Sequence, residues 1–255
     1  MRHRGQRLAQ TIAGFLSAAA AACPAAAQWS VVPLQPEGFM WSKVYAVTPT
    51  HQYGQGLLES VGTTQAMVWA GSAAGWSSLS PTSTTSAAVY GVSGNQQVGV
   101  VNGHAGLWSG TPGSFVDLNA PGWYASSAAG TNGQDQAGAF WTTQLGPSHA
   151  VLWHGSAGSW VDLNPVGAYD SGAGPMAAGQ QGGSVEFNGP NGITPPRAGL
   201  WSGTAASFVN LHPGPDFLYS YLYGMAPASR SAPRRVPVRL ITPRCGAAPP
   251  RATPT

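Results

Sequence analysis

The chain has 255 residues, enough for one large β domain with a core of its own. Charged residues make up only 7% of it, and 35 Gly and 22 Pro leave no clean stretch for a long helix, so many short strands joined by tight turns are expected. The net charge of +3 hides a segregation: Arg2, Arg4 and Arg7 open the chain, six arginines lie in the last thirty residues, and residues 28–225 hold only Lys43 and Arg197 against all eight acids, so the body has no basic patch and a nucleic-acid partner is excluded.

The first element is an export signal. Arg2-His3-Arg4-Gly5-Gln6-Arg7 is a short basic region, Leu8–Ala22 is a mostly apolar stretch, and Ala25-Ala26-Ala27 supplies a small-residue cleavage box. Cleavage after Ala27 would leave Gln28 as the first mature residue and place the protein in the periplasm or outside the cell. A transmembrane helix is the competing reading, against which the stretch is too short and too rich in Ala. Lipidation at Cys23 is the minority reading, because a lipoprotein box carries Leu where Ala20 stands. No other segment is apolar for long enough to span a bilayer as a helix. Cys245 lies in the tail, so the body uses no disulfide framework.

Between residues 28 and 225 the chain repeats itself. Gln65-Ala66-Met67-Val68-Trp69, His104-Ala105-Gly106-Leu107-Trp108, His149-Ala150-Val151-Leu152-Trp153 and Arg197-Ala198-Gly199-Leu200-Trp201 are four copies of one segment. Seven residues after each Trp stands an aromatic (Trp76, Phe115, Trp160, Phe208), and ten after it a Leu (Leu79, Leu118, Leu163, Leu211); a Pro follows every time. A second marker, Gln-x-Gly, recurs at Gln52/Gly54, Gln97/Gly99, Gln136/Gly138 and Gln181/Gly183, and nine residues before each Gly stand Tyr45, Tyr90, Ala129 and Gly174. Each copy reads as four short strands. Ala-x-Leu-Trp is one, and Phe-Val-Asp-Leu, with Phe and Asp on one face and Val and Leu on the other, returns from a Ser-Gly turn. The Tyr-Gly-Val and Gln-Val-Gly runs form a hairpin around Ser93-Gly94-Asn95.

Four strands per copy predict an all-β repeat protein, a β-propeller of four to five blades or an incomplete one, with an open β-solenoid as the alternative. Val32-Pro33-Leu34-Gln35-Pro36 echoes Val161-Asp162-Leu163-Asn164-Pro165, and the chain starts a fifth copy at Tyr223-Gly224, so the two ends are expected to complete one blade and close a ring.

The motif Ala-Gly-Leu-Trp or Ala-Val-Leu-Trp preceded by His, with Asn132-Gly133-Gln134-Asp135-Gln136-Ala137-Gly138 upstream, resembles the bacterial extracellular repeats named after a His-Ala-Phe motif. The likeness runs from about Val44 to Tyr223. It departs at Gly106, Val151 and Gly199, where the family has Phe, and at Gln65 and Arg197, where it has His. The resemblance implies an exported, propeller-like repeat protein and no particular activity.

Individual residues carry two readings each. His104 and His149 share a repeat position that would make a ring of ligands, but Gln65 and Arg197 occupy it elsewhere and Arg does not ligate metal, which favours a polar strand-end role. Asp117 and Asp162 could act as paired carboxylates, but Ser78 and Asn210 at the same position favour turn chemistry. The Gln of Gln-x-Gly reads as a structural hydrogen-bonding residue, and the repeated Trp as core between units before a sugar-stacking platform. Tyr219, Tyr221 and Tyr223 alternate as in a strand. Glu59, Glu186 and Asp170 stand outside the repeat offsets, where function would be grafted.

No catalytic, cofactor-binding or metal-ligating motif is found. A binding or structural role in the envelope or outside the cell is therefore expected, its partner an envelope glycan or protein, with a glycan-binding or glycan-active propeller as the alternative.

From residue 226 the text turns Arg-, Pro- and Ala-rich and loses the repeat markers, Ala232 and Arg230 standing where Gly and Gln are due. Composition predicts a disordered basic tail. A shift of reading frame within a longer array is the favoured origin, and a basic anchor for an anionic envelope surface the other.

Overall fold

The computed structural model describes residues 30–190 and 192–226. The expected signal peptide and the tail from residue 227 onward lie outside the described residues. The remainder is all-β, and each sequence copy is one antiparallel sheet whose strands lie side by side in chain order.

The first unit is β1 (Phe39–Val47), β2 (Gln52–Leu58), β3 (Thr64–Trp69) and β4 (Trp76–Ser78). The second is β5 (Ala87–Ser93), β6 (Gln96–Val101), β7 (His104–Trp108) and β8 (Val116–Asp117). The third is β9 (Ala125–Thr131), β10 (Gln136–Trp141), β11 (Ser148–Trp153) and β12 (Val161–Asp162). The fourth is β13 (Ala168–Ala177), β14 (Gln180–Gly189), β16 (Arg197–Trp201) and β17 (Val209–Asn210), with the two-residue β15 (Gly192–Ile193) added to β14. No helix of the described residues is long and apolar enough to cross a membrane.

Gln-x-Gly has a geometric cause. A Cβ on Gly54, Gly99, Gly138 or Gly183 would run into the carbonyl oxygen of Lys43, Ala88, Ser127 or Gly172 on the neighbouring strand. At that height each first strand is bulged, the register skipping Tyr45, Tyr90, Ala129, and Gly174 with Pro175. The residues nine before each Gly are thus the bulged ones, and only Gly leaves room for the strand that presses against them. At these bulges the first strands of successive units meet: Tyr45 and Tyr90 pack edge to face at 5.1 Å, and a Cβ on Gly91 would lie 3.0 Å from the Ala129 carbonyl oxygen.

The core lies between units. Tyr53, Ala66 and Leu79 of the first unit pack with Ala87, Val89 and Trp108 of the second. Val98, Ala105 and Leu118 pack with Ala128, Val151 and Trp153 of the third, and Ala137, Ala150 and Leu163 with Ala173, Val185 and Trp201 of the fourth. Each repeated Trp is fully buried, Trp108, Trp153 and Trp201 against the unit before and Trp69 among Phe39, Met67 and Leu34. Its burial removes roughly 150–250 Å² from water, about 4–6 kcal/mol at 25 cal/mol per Å². The indole N–H of all four finds no acceptor among the described residues, which takes back about 1–3 kcal/mol each. Area wins, and the tryptophans belong to the core.

Both ends of the array reuse this joint. Leu34 packs on Phe39, Met67 and Trp69 as Leu163 packs on the fourth unit, which accounts for the echo between the two segments. Beyond β17, Ser220 and the buried Leu222 lie on the far face of the fourth unit, Leu222 filling the space beside Gly182.

Two local expectations need correction. Phe-Val-Asp-Leu is a strand of only two residues; Leu118 and Leu163 are buried and Leu211 half-buried, but Val116 and Val209 are exposed, because Leu turns under the next unit while Val remains on the outer edge. Phe217–Tyr223 is not a strand: only Tyr221 makes a bridge, since Pro213 and Pro215 and the loop before it deny the segment a continuous ladder. Its alternation survives as a row of rings, Tyr219–Tyr221 at 5.8 Å and Tyr221–Tyr223 at 5.5 Å.

Candidate functional site

Most of the repeated polar residues are consumed by the scaffold. Gln97, Gln136 and Gln181 are buried, and each side chain bridges two turns. The Oε1 atoms accept from the N–H of Gly110, Gly155 and Gly203 at 2.8–2.9 Å, while the Nε2 atoms donate to the carbonyls of Asn95, Gln134 and Gly179. Gln52 accepts from Gly71 N–H at 3.1 Å in the first unit. Each Gln ties its hairpin to the turn that follows the Trp.

A second set of bonds joins the units. Ser126, Ser171 and Ser220 accept from the N–H of Ala105, Ala150 and Ala198 in the preceding unit at 2.8–2.9 Å. Ser126 and Ser171 donate in turn to Asn119 and Asn164. At the first joint Ala87 stands where the Ser would be, and Ser80 accepts from Ala66 N–H instead.

The repeated His and Asp are partners. His104 Nδ1 lies 2.8 Å from Asp117 Oδ2, and His149 Nδ1 lies 3.0 Å from Asp162 Oδ2. The other carboxylate oxygen of each Asp accepts from the N–H of Asn119 or Asn164, the turn role expected of it. In the first unit Ser78 Oγ donates to Gln65 Oε1 at 3.1 Å. Each pair closes on itself across strands, thirteen residues apart. His154 and Asp135, outside the shared positions, form a further pair at 2.7 Å. No group of three metal-ligating side chains occurs among the described residues.

What stands outside the repeat is distributed differently. In the third unit Trp123 stacks on Phe140 at 4.0 Å and meets Trp160 edge-on at 5.1 Å; Trp160 and the adjoining Tyr124 are exposed. In the fourth unit Asp170 and Glu186 are direct cross-strand partners on β13 and β14, an unfavourable position for two like charges. Asp170 is held by Ser148, accepting from its N–H at 2.8 Å and from its hydroxyl at 3.1 Å. Glu186 is left without such a partner among the described residues. Partial burial pushes its carboxyl above the ordinary value, and the negative charge of Asp170 adds to the shift. The Tyr221 phenol is raised as well, by burial first and then by Tyr223, Glu186 and Tyr219. Beside this row of tyrosines a groove of about 340 Å³ runs between Gly174, Pro175, Ser184 and Tyr221.

Of the three acids outside the repeat, the fold thus brings Asp170 and Glu186 together next to tyrosines, and leaves Glu59 apart, in the turn after β2 where its N–H donates to the Gly38 carbonyl. The His–Asp pairing escapes a reading that weighs each repeat position by itself. The constant offset of thirteen, with His/Asp, His/Asp, Gln/Ser and Arg/Asn at its two ends, is the signal that finds it.

Comparison of the chain with protein-family models, with curated proteins and with solved structures finds no match. The likeness to the His-Ala-Phe repeats therefore rests on the motifs alone.

Proposed function

We propose that the chain is an exported binding protein, a propeller-like array of β units whose ligand is a glycan and which carries out no chemistry. One observation carries this reading. Most of the polar residues at the repeat positions are spent on bonds inside the scaffold, whereas Tyr219 and Tyr221 depart from the repeat beside Glu186 and, half-exposed, form with the exposed Tyr223 a row of rings. Aromatic rings with polar tips suit the apolar faces of sugar rings, and a carboxylate beside them accepts from hydroxyls. The chain-order sheets, their shared inter-unit joint and the meeting of first strands at the bulges support the propeller-like arrangement. The basic–apolar–small order of residues 2–27 supports export, with Gln28 as the mature N-terminus.

The experiment is a glycan array and a glycoside-hydrolase substrate panel run on the same purified chain, with sequencing of the exported N-terminus. Retention of one glycan class without turnover is expected, weakened by Tyr221→Ala. The second reading, a glycan-active enzyme, is favoured by the adjacent Asp170 and Glu186 and by the raised Glu186 carboxyl. Turnover abolished by Glu186→Gln would establish it and overturn the first.

A further inference from the structure

We propose that the fourth unit holds an anion site, centred on Arg197, that takes the carboxylate of a uronate residue in an acidic glycan. The inference rests on the reading of the chain as a glycan-binding protein and names a ligand class and a second place for it.

The argument starts from equivalent positions. In three units the residue at the start of the Trp strand and the one thirteen further on satisfy each other: Gln65 with Ser78, His104 with Asp117, His149 with Asp162. In the fourth the pair is Arg197 and Asn210, and the match is broken. A guanidinium stands where the second and third units have an imidazole, and a neutral amide where they have a carboxylate. All eight acids of the chain lie among the described residues, and the ion pairs found there are His104–Asp117, His149–Asp162 and His154–Asp135. No Asp or Glu therefore pairs with Arg197. Neither Glu186 nor Asp216, the acids that flank it in the sequence, makes an ion pair with it, and Asp216 is exposed.

The loop beside this cation is built to leave space. From the Ala that follows Arg197 to the Ser that accepts its N–H is 22 residues, against 21 at the two preceding joints. This loop, one residue longer and carrying His212-Pro213-Gly214-Pro215, borders a recess of about 490 Å³ lined by Arg197, Asn210, His212, Pro195, Pro215 and Phe217. That is the size of a site for one small ring. Asn210 uses its Oδ1 to accept from His212 N–H at 2.8 Å, so its amide hydrogens remain to donate. His212 uses Nδ1 on Ser220 Oγ at 2.9 Å, so Nε2 remains. The recess thus offers the planar fork of Arg, which matches a carboxylate by two parallel bonds, and two neutral groups suited to hydroxyls. Pro195, Pro215 and Phe217 supply an apolar wall for the carbon face of a ring. A bare inorganic anion uses the fork and none of the rest.

The test is calorimetric titration of the full chain with three probes: an oligogalacturonate, its methyl ester, and inorganic phosphate. Binding of the oligogalacturonate alone is expected, weakening as salt is raised. The decisive variant is Arg197→His with Asn210→Asp, which installs the pair that the second and third units already carry and so leaves the fold intact. It should weaken uronate binding by roughly ten- to a hundredfold, the worth of a charge-assisted pair of hydrogen bonds, while its melting temperature stays at the parent's. Arg197→Lys, which keeps the charge and loses the fork, should fall between the two. Equal affinity in the double variant, equal binding of the methyl ester, equal binding of phosphate, or no uronate binding at all would each overturn the proposal. A chain that retains a neutral glycan on the array and fails here loses this site and keeps the broader reading.

Discussion

Replacing Gly138 by Ala tests the central structural claim, that Gln-x-Gly exists to let one strand press against a bulge in the next. A Cβ at this position would lie 2.9 Å from both Ala128 Cα and the Ser127 carbonyl carbon, and well inside contact with that carbonyl's oxygen. These are backbone atoms and no rotamer change relieves them, so β9 and β10 must separate locally by roughly an ångström. Gly138 pairs with Ala128 on one side and Val151 on the other, so separation strains the ladder in the middle of the third unit. Overpacking costs about 1–3 kcal/mol, and weakening two ladder bonds about 1 kcal/mol each. Together that is about 3–5 kcal/mol, or roughly 6–20 °C in melting temperature for a domain of this size. Gly158→Ala is the matched control. Nothing lies within 4 Å of its Cβ, and Ala206 already occupies the same place in the fourth unit. It should be neutral or stabilise by about 0.4–1 kcal/mol. Thermal and urea unfolding followed by tryptophan fluorescence reads both. A Gly138→Ala chain melting within a degree or two of the parent, or a Gly158→Ala chain falling as far, would refute the steric account of the motif.

Three further outcomes follow from the same geometry. Ser171→Ala strips the buried Ala150 N–H and Asn164 Oδ1 of their partner and should cost about 1–3 kcal/mol; adding Asn164→Ser, which reproduces the Ser80 arrangement of the first joint, should recover part of that loss in urea unfolding. Converting His149 and Asp162 together to Gln and Ser, the pair of the first unit, should change stability by less than about 1 kcal/mol, because the exposed ion pair contributes little; a loss of several kcal/mol would show that the pair is more than a surface contact. Glu186 has a folded pKa above its unfolded value, so its contribution to stability is fully present below the unfolded pKa of about 4.3 and is lost as pH rises through the folded one. Glu186→Gln should therefore raise the melting temperature at pH 7 relative to the parent and leave it unchanged near pH 4; the opposite order would mean that the ionised carboxylate is held by a favourable partner.

The repeat made the strands legible because burial of a β sheet forces fixed offsets: an Ala, a Leu and a Trp recur wherever one unit covers the next, and no helix can satisfy those spacings together with so much Gly. The reason for the motif glycines was not legible. Tyr45, Tyr90, Ala129 and Gly174 have no side-chain feature common to all four, and what unites them is a skipped register, which belongs to two strands at once. The same limit hid the His–Asp pairs and the inter-unit serines, since each member is an ordinary surface or turn residue until its partner is in view. The tyrosine segment misled in the other direction. Its alternation is that of a strand, but the prolines ahead of it leave no continuous partner edge, and the period fixes only which rings lie on one side.

A repeat array also supplies an internal control that a single domain lacks. Four positions under the same packing constraint show which residue types the scaffold accepts, and the accepted solutions here are self-closing: an amide with a hydroxyl, or an imidazole with a carboxylate. Arg197 opposite Asn210 departs from those solutions without any gain inside the fold, for it acquires no acid and stands beside a lengthened loop. Asp170 beside Glu186 departs likewise, placing two carboxylates across a strand pair where burial first, and then repulsion, raises one of them. Such local conflicts cost stability, and they sit together in the fourth unit, whereas the second unit, whose pair is satisfied, carries neither. Where a scaffold tolerates an unmatched charge at a place its own repeat shows how to match, the missing partner is sought in a ligand.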